Sequence, residues 1–159
     1  MKKDAATDLK LVHLPVESLK AFPKNARTHS KFQIKQIADS IRTFGFTNPI
    51  LITGNGIVIA GHGRLTAAKL LGMATIPVIR LENLTEDQVR AYVIADNRLA
   101  EKAGWDRAIL AIELQHLITL DGNFDVTITG FEIPEIDLIL EEARGNKPDV
   151  IGYNYEEEE

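Results

Sequence analysis

The chain has 159 residues, 45% of them apolar, a formal net charge of −5 and no cysteine. That length buries one real core with room for a small appendage, and the composition is that of an ordinary globular protein. The missing cysteine excludes disulfides, a thiol nucleophile and thiolate metal sites, while no apolar run approaches the roughly 18 residues of a membrane span, so a cytoplasmic chain with no membrane partner is expected.

The charge is divided unevenly. Residues 1–80 carry 12 Lys/Arg against 4 Asp/Glu, and residues 81–159 carry the remaining 6 against 19. A basic half of this kind suits a polyanion such as a nucleotide or nucleic acid, although the two halves also attract each other.

In chain order, residues 1–8 read as a flexible polar leader, with no apolar segment behind "MKKDAATDLK" to make a signal peptide. "LKLVHLPVESL" predicts a short strand and a turn. "FPKNARTHS" is a basic loop. Ser30 opens a helix through Gly45, with Gln33 placed for a capping box and Ile34, Ile37, Ala38, Ile41 and Phe44 forming an apolar stripe. Strands at 50–53 and 57–60 flank Gly54-Asn55-Gly56, which is hairpin chemistry. A short helix follows to Gly72, then a strand at 75–81 and a long helix with a second capping box, Thr85 and Gln88. Asp106 caps an amphipathic helix, and the last helix has Pro134 near its start and Gly145 near its end. The expected organisation is a domain over 9–104, a helical extension over 105–145, and an acidic tail or linker over 146–159. The element order predicts an α+β fold with a mixed sheet and packed helices, followed by a short helical part.

The segment "NGIVIAGHGRLTAAKLLG" (55–72) concentrates the chemistry. A strand runs into Gly61-His62-Gly63, and a helix starts near Arg64. Helix N-termini present unpaired N–H groups and about half a positive charge, and glycine lets an anion approach them. Arg64 can fork onto phosphate oxygens, and Thr66 adds a hydroxyl in the first turn. The same residues also fit a plain strand-to-helix turn. No Walker A pattern is present. His62, beside such an anion, can donate to it or act as an acid/base. Asp96 and Asn97, in an otherwise apolar helix, would suit Mg²⁺ held jointly with phosphate oxygens. No histidine pair has zinc spacing, and His13 and His116 read as structural.

The series "NARTH…IADSIRTFGFTNPILI…GIVIAGHGRLTAAKLLGMATIPVI…ADNR" resembles the N-terminal domain of ParB-type proteins, in the ParB/sulfiredoxin-like superfamily. Within it, "AGHGRLTAAKLLG" and "ADNRLAE" are similar to the variety that accompanies bacterial and phage DNA-modification methyltransferases. The resemblance covers residues 9 to about 104. It implies a pocket for CTP or ATP with Mg²⁺, in which Gly61, His62, Gly63, Arg64, Leu65, Thr66, Asn97, Arg98, Asn25 and Arg27 would bind nucleotide, with His29 nearby. Asp96 and Asn97 would hold metal, and Asp96 and His62 would be the catalytic candidates.

Departures from the family pattern are plain: His62 stands for an acidic residue, Gly63 for an Arg, Asp96 for a Glu, and the later Arg of the second motif is out of register. They leave nucleoside triphosphate hydrolysis open. Sulfiredoxin chemistry is excluded, because there is no cysteine.

The function expected is nucleotide binding in DNA transactions, accessory to DNA modification or partition, on a phage or plasmid. A methyltransferase domain or partner and a homodimer are the protein partners implied. DNA contact is expected from Lys20, Lys24, Arg27, Lys31, Lys35 and Arg42, because the acidic helix at 134–144 is unsuited to a groove. A ParB-like nuclease and a free-serine-type kinase are the alternatives.

Overall fold

A computed structural model describes residues 8–23, 25, 27–120 and 124–145. The chain forms two compact units, Met1–Ala103 and Gly104–Glu159. The first contains β1 (Leu11–Pro15), α1 (Lys31–Phe44), β2 (Ile50–Thr53), β3 (Val58–Ala60), α2 (His62–Leu70), β4 (Thr75–Leu81) and α3 (Glu86–Lys102). The second contains α4 (Arg107–Thr119), a 3-10 turn at Val126–Thr129 and α5 (Ile133–Gly145). The fold class is α+β, as expected. The tail expected over 146–159, and the leader apart from exposed Asp8, lie outside the described residues.

The sheet order is β1-β4-β2-β3. β1 runs antiparallel to β4, β4 parallel to β2, and β2 antiparallel to β3. Pro77 sits in β4 although proline cannot donate to a ladder. It is tolerated because β2 pairs with β4 only from Val78 onward. Strand alternation divides the apolar residues between two faces. Ile50, Ile52, Val58, Ile76 and Val78 join Leu65 and Ala68 of α2 in one core, while Leu51 and Ile59 join Val89 and Val93 of α3 in another. Both faces of the sheet are thus covered, and the last residue of β3 is delivered directly to the start of α2. α1 packs against α2. Of its predicted stripe only Ala38 is fully buried, and Phe44, on the last turn, is 57% exposed.

The two capping boxes have different fates. Thr85 and Gln88 close theirs reciprocally. Ser30 accepts from the Gln33 N–H, but the Gln33 side chain is turned to His29 Nδ1 at 3.1 Å, so the reciprocal half is missing. Replacing Thr85 with alanine should therefore lower the unfolding free energy by about 1 kcal/mol in urea titration.

In the second unit Leu110, Ala111, Leu114, Val126, Ile136 and Ile139 form the core. Asp106 caps α4 as expected, and Trp105 meets Phe131 edge-on at 5.4 Å. His13 and His116, expected in apolar surroundings, are exposed: one lies on an outer strand, the other on the outward side of α4.

Candidate functional site

The site begins where β3 ends. Gly61 has φ +100°, a left-handed conformation that suits glycine. It turns the chain so that α2 starts at His62, two residues earlier than expected. α2 has no side-chain cap, whereas α1, α3 and α4 are capped by Ser30, Thr85 and Asp106. Its first-turn N–H groups therefore have no side-chain acceptor from the cap position.

A small cavity of 140 Å³ opens at this turn, lined by residues that include Arg27, His29, Gly61, His62, Gly63, Arg64, Asp96 and Asn97. Five segments meet here: Arg27 and His29 before α1, Ile37 of α1, the end of β3, the start of α2, and Asp96 and Asn97 of α3. At Gly63 a Cβ would lie 2.9 Å from Ile37 Cδ1 and 3.2 Å from the His29 ring, so a larger residue would crowd these two side chains.

Arg64 is the central cation. Its Nη2 donates to the Pro49 carbonyl at 3.2 Å, and its Nε is buried without a hydrogen-bond partner among the described residues. Nor does it form an ion pair among those residues. Burial pushes its pKa below the ordinary value, and Asp96 pulls it partly back. An arginine stays protonated regardless, so a half-buried positive charge stands here without a bonded carboxylate.

His62 is placed differently from the expected acid/base. Its Nε2 accepts the Phe22 N–H at 3.2 Å, which fixes that nitrogen as the unprotonated one. Burial, and secondarily the His29 ring, lower its pKa from the ordinary 6.5. His62 is thus a neutral strut whose acceptor is occupied, and a role as general base would require breaking that bond. The unfolded chain binds the proton more readily, so stability is full above about pH 6.5 and declines as the pH falls below it. His62→Gln, which retains an acceptor, should flatten that decline when unfolding is measured at pH 7.5 and 5.5.

Asn97 donates through Nδ2 to the Val93 carbonyl at 2.8 Å, an arrangement that leaves its Oδ1 as the group able to meet a ligand. Asp96 is exposed at the cavity edge, and its charge, after burial, contributes to raising the Tyr92 pKa. Among the described residues no group of three metal-ligating side chains exists. One carboxylate and one amide fit Mg²⁺ only when phosphate oxygens complete the shell.

A second cavity of 440 Å³ shares Arg27 and Asn97 with the first and is also lined by Phe22, Arg90, Arg98 and Glu101. Glu101 bonds Arg27 through Oε1 and Arg98 through Oε2, the latter at 3.4 Å. Sequence reasoning missed this carboxylate, since Arg27 is 74 positions away and only folding brings it in.

Three other expected nucleotide-binding residues are not presented to the cavities. The Leu65 side chain is buried in the core, and its N–H bonds to the Gly61 carbonyl. The Thr66 hydroxyl donates to the His62 carbonyl, and Asn25 Oδ1 accepts from the Arg27 N–H. Of the basic residues expected to meet DNA, Lys20, Lys31, Lys35 and Arg42 are exposed, the last three along one side of α1, with Arg42 3.5 Å from Asp39. Arg27 is engaged with Glu101 instead. Lys24 lies outside the described residues.

A mixed four-stranded sheet that feeds a glycine turn into a helix N-terminus is the class this fold defines. The family model described as ParB N-terminal domain matches residues 1–97, and the chain belongs to that family. A second model, ParB-methyltransferase HTH domain, matches residues 108–159 and runs across the boundary expected at 145/146.

Among curated relatives, the ParB-like nuclease domain-containing protein YnaK of Escherichia coli (strain K12) is 50% identical over 80 residues, half of this chain and 92% of that protein. Chromosome-partitioning protein Spo0J of Thermus thermophilus is 30% identical over 91 residues, 55% of this chain. The chain spans only 34% of that protein's length. Among solved structures, C-terminally truncated ParB from Caulobacter crescentus complexed with CTP-γ-S aligns with a TM-score of 0.70, at 23% identity, over 88% of this chain and 81% of that one. That likeness is one of fold. No helix among the described residues is long and apolar enough to cross a membrane.

Proposed function

We propose that the N-terminal unit binds a nucleoside triphosphate, CTP or ATP, with its phosphates at the Gly61–Arg64 turn, and that it serves DNA transactions as an accessory to modification or partition. The observation that carries this is Arg64, a half-buried cation whose buried Nε–H has no partner among the described residues, beside an uncapped helix start. Burying a charge without a partner is costly, and a bound phosphate would supply the missing partner. Asp96 and Asn97 would hold Mg²⁺ together with phosphate oxygens, and that ion would shield phosphate charge. The CTP-γ-S bound in the Caulobacter crescentus structure favours a nucleotide of this class. The exposed basic side of α1, with Lys20, is the surface offered to DNA. The match to a methyltransferase-associated domain supports a modification setting in the cytoplasm, with a methyltransferase as partner.

Calorimetric titration of the four ribonucleoside triphosphates with Mg²⁺ tests this reading. Selective binding that Arg64→Ala abolishes is the expected result, and no binding to any of them would refute it. The name of the Escherichia coli relative favours a second reading, a nuclease. Metal-assisted cleavage draws on a cluster of carboxylates, whereas among the described residues Asp96 is the one carboxylate lining the 140 Å³ cavity. Plasmid nicking that requires a divalent metal and Asp96 would favour that reading.

A further inference from the structure

We propose that Glu101 is a built-in competitor for the bound anion, an inference that rests on the nucleotide reading above. Glu101 holds Arg27 with one carboxylate oxygen and Arg98 with the other, at the mouth of the 440 Å³ cavity. Arg27 and Asn97 line both this cavity and the one at the Gly61–Arg64 turn, so a ligand anchored at Arg64 and extending outward reaches the same arginines. Two guanidinium groups converging on one carboxylate form the kind of bed that a phosphate occupies. In the ligand-free protein the Glu101 carboxylate stands in for that phosphate.

The position of Glu101 in its own helix agrees with this. It lies in the last turn of α3, where the negative end of the helix disfavours an acidic side chain. It is held there by Arg98, three residues earlier on the same helix, and by Arg27 from the loop before α1. The side chains of Arg27, Arg98 and Glu101 are 38%, 65% and 46% exposed, so the bonds are weak enough for a multiply charged ligand to displace them. Glu101 would thereby lower the affinity of any ligand that reaches the two arginines, and its release would free the end of α3 when ligand binds.

The test is titration of CTP and of inorganic triphosphate into wild type, Glu101→Gln and Glu17→Gln. Glu17 is an exposed carboxylate on the turn after β1 and lines neither cavity. Its variant controls for the loss of one negative charge. Glu101→Gln should bind both probes roughly three- to tenfold more tightly, the range that releasing two exposed ion pairs allows. Glu17→Gln should stay at the wild-type value. If wild type binds and Glu101→Gln binds equally or more weakly, the competitor is refuted and the nucleotide reading stands. If both glutamine variants gain equally, the effect is general charge, and the competitor is again refuted. If wild type and Glu101→Gln bind neither probe, the nucleotide reading falls and takes this inference with it.

Discussion

Arg64→Leu should abolish nucleotide binding while leaving the N-terminal unit at least as stable as wild type. Arg64 donates one hydrogen bond, to the Pro49 carbonyl, and keeps a buried Nε–H with no partner among the described residues. An unsatisfied buried donor costs about 1–3 kcal/mol, against the roughly 1 kcal/mol of the single bond that is lost. Leucine, which ends at Cδ, removes both, so the unfolding free energy in urea should stay level or rise by about 1 kcal/mol. The affinity should fall by about 2–5 kcal/mol, which is roughly thirty-fold or more. A protein that gains stability on losing a residue has been holding that residue for something other than its fold. If Arg64→Leu lowers the unfolding free energy while the folded variant binds nucleotide as wild type does, Arg64 is a structural tie to Pro49.

The second large effect is expected at Gly61. An alanine there meets a backbone at φ +100°, and its Cβ would lie 2.9 Å from Arg64 Nη2 and 3.0 Å from Ile50 Cγ1. Ile50 is fully buried and cannot retreat, so the guanidinium must move. The backbone strain should cost about 1–2 kcal/mol of stability, and the displaced Arg64 should weaken nucleotide binding as severely as its removal. Gly72→Ala separates the two terms. Gly72 has φ +69°, yet a Cβ there would meet nothing within 4 Å. It should lose similar stability with unchanged affinity. Equal affinities for Gly61→Ala and wild type would show that ligand does not use this turn.

The sequence was most readable where signals are local. β2 and the span of β4 were legible from β-branched runs between turn residues, and the caps at Ser30, Thr85 and Asp106 from their spacing. The order of motifs along the chain pointed to the ParB domain, and the same order placed Gly61, His62, Gly63, Arg64, Asp96 and Asn97 in one neighbourhood. Contacts made across the fold could not be read in this way. The Gln33 side chain bonds His29 Nδ1 in place of closing its capping box. His62 looks like an acid/base in sequence, but the Phe22 N–H, forty positions away, occupies its acceptor. Glu101 had no visible partner on its own helix face except Arg98, and the bond to Arg27 exists only after folding. Leu65 follows the Gly61–Arg64 turn in sequence, yet helical geometry sends its side chain into the core.

The central claim is that phosphate sits on the amides at the start of α2, and amide-resolved NMR of the ¹⁵N-labelled chain titrated with CTP and Mg²⁺ tests it most directly. The N–H resonances of His62, Gly63 and Arg64, with the Arg64 Nε–H, should show the largest shifts, and those on the exposed side of α1 should stay in place. Shifts confined to α1, with the turn unmoved, would contradict the account and make this surface the binding site.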